Sequence, residues 1–301
     1  MSNSGQIDLW GNVSEKDALL RDKFIEPPFS VLDTKSGSWQ KRKKMWIYKG
    51  IKSEIGREVT IYAKQGRTDF FGIKSNEVRE GGASVFDLAL CEVIYKWFCP
   101  DGGSIFDPFA GGSVRGIVAQ YLGYQYTGID IRDEQIVSNR EQALDILKVN
   151  NQPNYYVGDS NKVLDDLISE YDFVFSCPPY GDLETYSELE DDISNMEYEK
   201  FLVTYESIIA KSCKKLKRGC FACFVVGEFR DRQGFYQGFV PDTIRAFNKC
   251  GMKFYNEAIL LNSIGSSMLR AGGHMKKKKL VKVHQNILVF IKPQKENNET
   301  N

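Results

Sequence analysis

No run of apolar residues in this 301-residue chain approaches the length of a bilayer span, so no membrane association is expected. The start, Met1-Ser2-Asn3-Ser4-Gly5, is polar and lacks a secretory pattern, which points to the cytoplasm. A disulfide framework is missing too: the seven cysteines are odd in number and scattered through apolar segments, as reduced thiols are. The lone CxxC, Cys220 and Cys223, has no second pair and sits in a strand-like run, so no metal site is expected. Net charge is absent, with 40 Lys and Arg against 40 Asp and Glu. The overall balance therefore does not mark a nucleic-acid binder. Internal repeats are also lacking.

What is present is an ordinary globular composition, 42% hydrophobic and 27% charged, long enough for one large domain plus an extension. The charge is unevenly placed. Between Lys35 and Arg57 there are eight basic residues against one acid, Glu54, interleaved with Trp39, Trp46 and Tyr48. From Arg270 to Lys282 there are six basic residues, His274 and no acid, whereas Asp182 to Glu199 holds eight acids and no base. Basic stretches carrying aromatics suit phosphate contact and base stacking. The plainer alternative is a solvated charged face.

Along the chain, residues 1–20 read as a flexible lead. Residues 21–80 read as an extension, with turns at Pro27-Pro28 and Ser36-Gly37-Ser38 and a strand-like run Val59–Ala63. Gly81-Gly82 then precedes a helical pattern through Val85, Leu88, Ala89, Val93, Ile94 and Trp97. From Ser104 strands and helices alternate. Strands are expected at 104–107, 125–130, 155–157, 172–176, 220–226, 254–261 and 284–291. Helices are expected near 113–121, 133–149, 161–169, 197–216 and 240–249. This is the pattern of an α/β fold with a doubly wound, mostly parallel seven-stranded sheet, occupying 81–292. The last two strands, joined by a basic loop, are expected to pair antiparallel. A polar, disordered tail follows at 293–301.

Chemistry is concentrated at the strand ends, where an open α/β sheet binds its ligands. The first turn is Asp107-Pro108-Phe109-Ala110-Gly111-Gly112-Ser113-Val114-Arg115-Gly116. Its glycines let backbone approach a ligand, but GxGxxG is absent and an aspartate there would repel a pyrophosphate. Asp107 suits a ligand with a cationic amino group, which favours S-adenosylmethionine over a dinucleotide. Asp130, about twenty residues on, is placed to accept from ribose hydroxyls. Asp159, after the third strand, is placed to accept from an adenine amino group. Helix capping competes as a reading of Asp130 and Asp159. The fourth strand, Phe173-Val174-Phe175, ends in Ser176-Cys177-Pro178-Pro179-Tyr180. Neither proline can donate to a ladder, so the strand stops in a rigid lip with an aromatic ring beside it.

Residues 79–292 resemble the S-adenosylmethionine-dependent DNA amino-methyltransferases, which act on adenine N6 or cytosine N4. Asp107 to Gly116 resembles their cofactor loop and Ser176 to Tyr180 their catalytic tetrapeptide. Arg79 to Phe98, including Ala83-Ser84-Val85-Phe86, resembles the segment that packs on the cofactor. Val281 to Phe290 resembles their last strand. Glu26 to Asp33, with Trp39-Gln40-Lys41-Arg42-Lys43, is similar to the start of phage and prophage members. The resemblance implies a Rossmann-like class I methyltransferase fold and a bacterial or phage-infected host cytoplasm. It also implies a cofactor site of Phe86, Asp107, Pro108, Phe109, Ala110, Gly111, Gly112, Asp130 and Asp159. Cys177, Pro178, Pro179 and Tyr180 would hold a flipped base. DNA would be met by the basic regions 35–57 and 270–282.

The resemblance departs at Cys177, where the family carries Asp, Asn or Ser. A thiol is a weak acceptor, so the choice between adenine and cytosine stays open. Three other readings stand beside this one. Cys177 could add to a pyrimidine before C5 methylation. The substrate could be RNA or another amine. The chain could also be a DNA-binding protein of the same fold without catalysis.

Overall fold

The computed structural model describes residues 15–51, 86–180, 189, 192–231, 233–262 and 267–294. Residues 1–14 of the expected lead, the run Val59–Ala63, Gly81-Gly82, Arg79 to Val85 and the tail beyond 294 lie outside the described residues. So do all five acids from Asp182 to Asp191.

The alternation starting at Ser104 gives β2 (Ser104–Asp107), α4 (Val114–Tyr121), β3 (Gln125–Asp130), α5 (Asp133–Ile146), β4 (Asn154–Val157), α6 (Ser160–Asp166) and β5 (Tyr171–Ser176). The second half is α7 (Tyr198–Lys215), β6 (Leu216–Val226), α8 (Phe239–Lys249), β7 (Lys253–Leu261), α9 (Ser267–Lys276) and β8 (His284–Ile291). Before them come α1 (Glu15–Phe24), β1 (Val31–Asp33), α2 (Gly37–Tyr48) and α3 (Leu88–Phe98). All seven expected strands are present, in one Rossmann-like sheet that also holds β1. The order is β1-β7-β8-β6-β5-β2-β3-β4. Only β8 runs antiparallel, inserted between β6 and β7. The last two strands pair as expected.

Three expectations need correction. Residues 15–20 belong to helix α1, not to a flexible lead. The Ser36-Gly37-Ser38 turn starts α2, with the Ser36 side chain accepting from Trp39 N. The basic loop before β8 contains α9, which Gly272 and Gly273 obscured because glycine disfavours helix interiors.

The sheet is covered on both faces. Phe173 and Phe175 of β5 point to a core shared with α3 and α4, whereas Val174 points to the core under α7 and α8. This alternation follows from the period of two along a strand. It explains why β5 reads as a continuous apolar run: both faces are buried. From β2 the chain winds outward through β3 and β4, then returns to place β5 on the other side of β2. The β2–β5 seam is therefore the switch point, and a crevice opens at its carboxyl ends.

The N-terminal elements complete this body. β1 pairs with β7 in parallel register, Leu32 opposite Leu260. α2 lies on α3, where two acids collect four of its donors. Trp39 Nε1 and Lys43 Nζ reach Asp87 at 3.1 and 3.3 Å; Trp46 Nε1 and Arg42 Nη1 each reach Glu92 at 2.7 Å. Trp39 and Trp46 are 1% and 4% exposed, so they are core residues and cannot stack on bases. Of the three aromatics expected to do so, only Tyr48 is open to solvent.

Candidate active site

The crevice is one continuous cavity of about 540 Å³, within the range of small-ligand sites. It is walled by Phe86, Gly111, Arg115, Asp130 and Asp159 and by Cys177 to Tyr180. It is also lined by Glu228, Phe229, Lys282, His284 and Gln285, with Thr34, Gln40 and Lys43 from the N-terminal elements.

Asp107 ends β2 but does not line this cavity. Its carboxylate is fully buried and accepts four hydrogen bonds. Oδ1 takes Phe109 N at 3.1 Å and Ser176 Oγ at 2.5 Å, while Oδ2 takes Arg115 Nε at 2.5 Å and Tyr126 Oη at 2.7 Å. The expected contact between Asp107 and a ligand's ammonium is thus corrected. The residue instead ties the cofactor-type loop, the end of β5 and α4 into one unit. Ala110 and Gly112 are likewise absent from the cavity lining, while Pro108, Phe109 and Gly111 are present in it.

The loop's path is set by small residues. Gly111 has φ +51°, in the left-handed region that favours glycine. A Cβ on Gly128 would come within 2.8 Å of both Ala110 Cβ and the Tyr126 ring, so the loop can close on β3 only if that position is glycine. Gly111 N then donates to Asp130 Oδ2 at 2.8 Å, and Arg132 N donates to Oδ1 at 2.9 Å. Burial pushes the Asp130 carboxyl above its usual value, against the opposing charge of Arg132. Asp159 accepts from Asn161 N at 2.8 Å and caps α6. It does so while lining the cavity, so capping and ligand contact are compatible at this residue.

At the lip, Pro178 is buried and Cys177, Pro179 and Tyr180 are half-buried on the cavity wall. Tyr180 is held from two sides. Its hydroxyl accepts from Gln285 Nε2 at 2.7 Å, and its ring meets Phe229 and Phe239 edge-on at centroid distances of 6.4 and 6.0 Å. Glu228 accepts from Val240 N and Gly238 N at the start of α8. Burial and the Lys282 ammonium push the His284 imidazole below its usual value.

Of the residues expected from the sequence, Phe86, Pro108, Phe109, Gly111, Asp130, Asp159 and the whole lip line this cavity. Sequence reasoning missed Glu228, Gln285 and the N-terminal wall. Glu228 carried a signal of the same kind as the other acids, since it follows β6 by two residues. Gln285 carried none, because its role depends on β8 lying beside β6.

No protein-family profile matches the chain, and no curated protein matches it. Solved structures superpose on part of the chain at low identity. TrmN from Thermus thermophilus superposes with a TM-score of 0.47 and 13% identity over 69% of this chain and 49% of its own. The precorrin-6y C5,15-methyltransferase of Geobacter metallireducens gives 0.45 and 13% over 71% and 92%. Magnesium protoporphyrin IX methyltransferase of Synechocystis, with bound SAM, gives 0.41 and 13% over 68% and 79%. This chain thus spans about half the length of the Thermus protein.

Proposed function

We propose that the protein is an S-adenosylmethionine-dependent methyltransferase acting on an exocyclic amine of a DNA base, adenine N6 or cytosine N4. The observation that carries this reading is the single cavity joining the strand-end acids Asp130 and Asp159 to the Pro178-Pro179 lip and Tyr180. The residues present fit the cofactor. Asp130 and Asp159 line the cavity and would accept from hydroxyl and amino donors, the Gly111 and Gly128 loop leaves room for close backbone approach, and Phe86 offers an apolar wall.

When bound, S-adenosylmethionine supplies an electrophilic methyl group on a sulfonium centre. The chain's own residues position the acceptor. An amine conjugated to a base ring is a weak nucleophile. Carbonyl oxygens of the lip accept hydrogen bonds from its N–H groups and concentrate electron density on nitrogen, so positioning and local electrostatics supply most of the catalysis. Tyr180 stacks on the extruded base, worth on the order of 1–3 kcal/mol against an unstacking cost of a few kcal/mol. The exposed lysines Lys276, Lys277 and Lys278, at and just beyond the end of α9, are suited to contact phosphate.

Incubation with labelled S-adenosylmethionine and unmodified duplex DNA, followed by nucleoside analysis, tests the proposal. N6-methyladenine or N4-methylcytosine is the expected product. Absence of both, with transfer to RNA instead, would move the substrate and keep the reaction.

A further inference from the structure

Arg115 lies in the first turn of α4, a helix otherwise made largely of apolar and small residues, and its side chain is 5% exposed. A guanidinium has five N–H donors in a planar fork. Three are used: Nε–H donates to Asp107 Oδ2 at 2.5 Å, and Nη2 donates to Phe109 O at 2.5 Å and Ala110 O at 2.9 Å. Among the described residues Nη1 has no hydrogen-bond partner, yet it is not among the fully buried unsatisfied atoms. Arg115 lines the cavity, with its guanidinium 4.6 Å from the centre of the Phe86 ring. Nη1 is thus the nitrogen of this buried pair left to offer its N–H donors to an anion in the cavity.

We infer that Arg115 Nη1 receives the carboxylate of the amino-acid tail of the cofactor, a reading that rests on the S-adenosylmethionine assignment above. Polarity favours it. Asp107 is screened from the cavity by its own four donors, so the buried Asp107–Arg115 pair presents its cationic member to the ligand. The fork cannot rotate away, because Nε and Nη2 are both fixed. Nη1 therefore offers its hydrogens in one place before any ligand arrives. Phe86 lies against the guanidinium, which leaves the free edge as the route to an anion.

The test is a binding cycle read by calorimetry, with S-adenosylhomocysteine and its decarboxylated analogue as ligands. The wild-type protein is expected to prefer S-adenosylhomocysteine by about tenfold or more, equivalent to about 1.4 kcal/mol. Arg115→Gln should bring that preference below about threefold while leaving affinity for the decarboxylated analogue nearly unchanged. Equal wild-type affinity for the two ligands would overturn the inference and leave the cofactor assignment standing, even if the variant fails to fold. A preference that survives in a folded Arg115→Gln protein would overturn it as well. Failure of the wild-type protein to bind either ligand would overturn the cofactor assignment and the inference with it.

Discussion

Tyr180 is the lip residue on which the proposed stacking depends. Its hydroxyl is anchored by Gln285, and Phe229 and Phe239 stand at its edges, so little rotamer freedom is left to lose on binding. Tyr180→Ala is expected to lower turnover by about tenfold or more while changing S-adenosylhomocysteine affinity less than about threefold, the loss of a stacking term of a few kcal/mol at most. Single-turnover rates compared with calorimetry check this; equal losses in both would remove the stacking role. At this scale the sequence was readable where chemistry sits at a strand end. Asp130, Asp159 and Cys177 to Tyr180 all line the crevice that strand-end position implied. Asp107 was misread because its partners are not neighbours in sequence. Ser176 and Tyr126 are 69 and 19 residues away, and only the folded sheet brings them to the same carboxylate. Arg115 stood in the glycine-rich first turn, but its importance depends on the burial of α4.

Among the elements, the β2–β5 seam carries the site, and Asp172 secures its far end. Asp172 Oδ2 accepts from Ser104 N at 3.0 Å and Ser104 Oγ at 2.9 Å, and Oδ1 accepts from Lys217 Nζ at 2.7 Å. Burial pushes its carboxyl up, but hydrogen bonds from Lys217 and Ser104 outweigh that and hold it below its usual value. A depressed carboxylate stabilises the fold above its unfolded pKa of about 4, and the contribution disappears as pH falls through the lower folded value. Asp172→Asn is therefore expected to reduce stability at neutral pH and to flatten its decline below about pH 4. Urea midpoints measured across that range check the sign. The periodic elements were legible because β5 is buried on both faces and α3 is apolar nearly all round, with Leu88 to Cys91 and Val93 to Tyr95 buried. The N-terminal elements were not. Trp39 and Trp46 among lysines look like a stacking platform until Asp87 and Glu92 on α3 are seen to take their ring N–H groups. β1 has only three residues, too few for a pattern.

For the molecule as a whole, charge is sorted and not cancelled. α2 spends Arg42 and Lys43 on internal partners, whereas Lys276, Lys277 and Lys278 are exposed. Replacing those three with Gln is expected to weaken DNA binding and to lower the slope of log K against log salt by up to about 0.9 for each phosphate left unneutralised. Cofactor affinity should stay unchanged. Fluorescence anisotropy over a salt series measures the slope for each protein. The same sorting explains why the net charge of zero gave no guide to a partner. The edge strand β1 has a further consequence, in the order of assembly. Its partner β7 lies more than two hundred residues downstream; Thr34 Oγ1 donates to Leu261 O across a separation of 227 residues. During synthesis Val31–Asp33 stays unpaired until β2 through β7 have all been made. A stretch made early is therefore seated late, and Thr34, which lines the cavity, reaches Leu261 only then. Long-range pairing of this kind slows folding and lengthens the exposure of partly folded chains. The cavity is complete only when β1 has met β7.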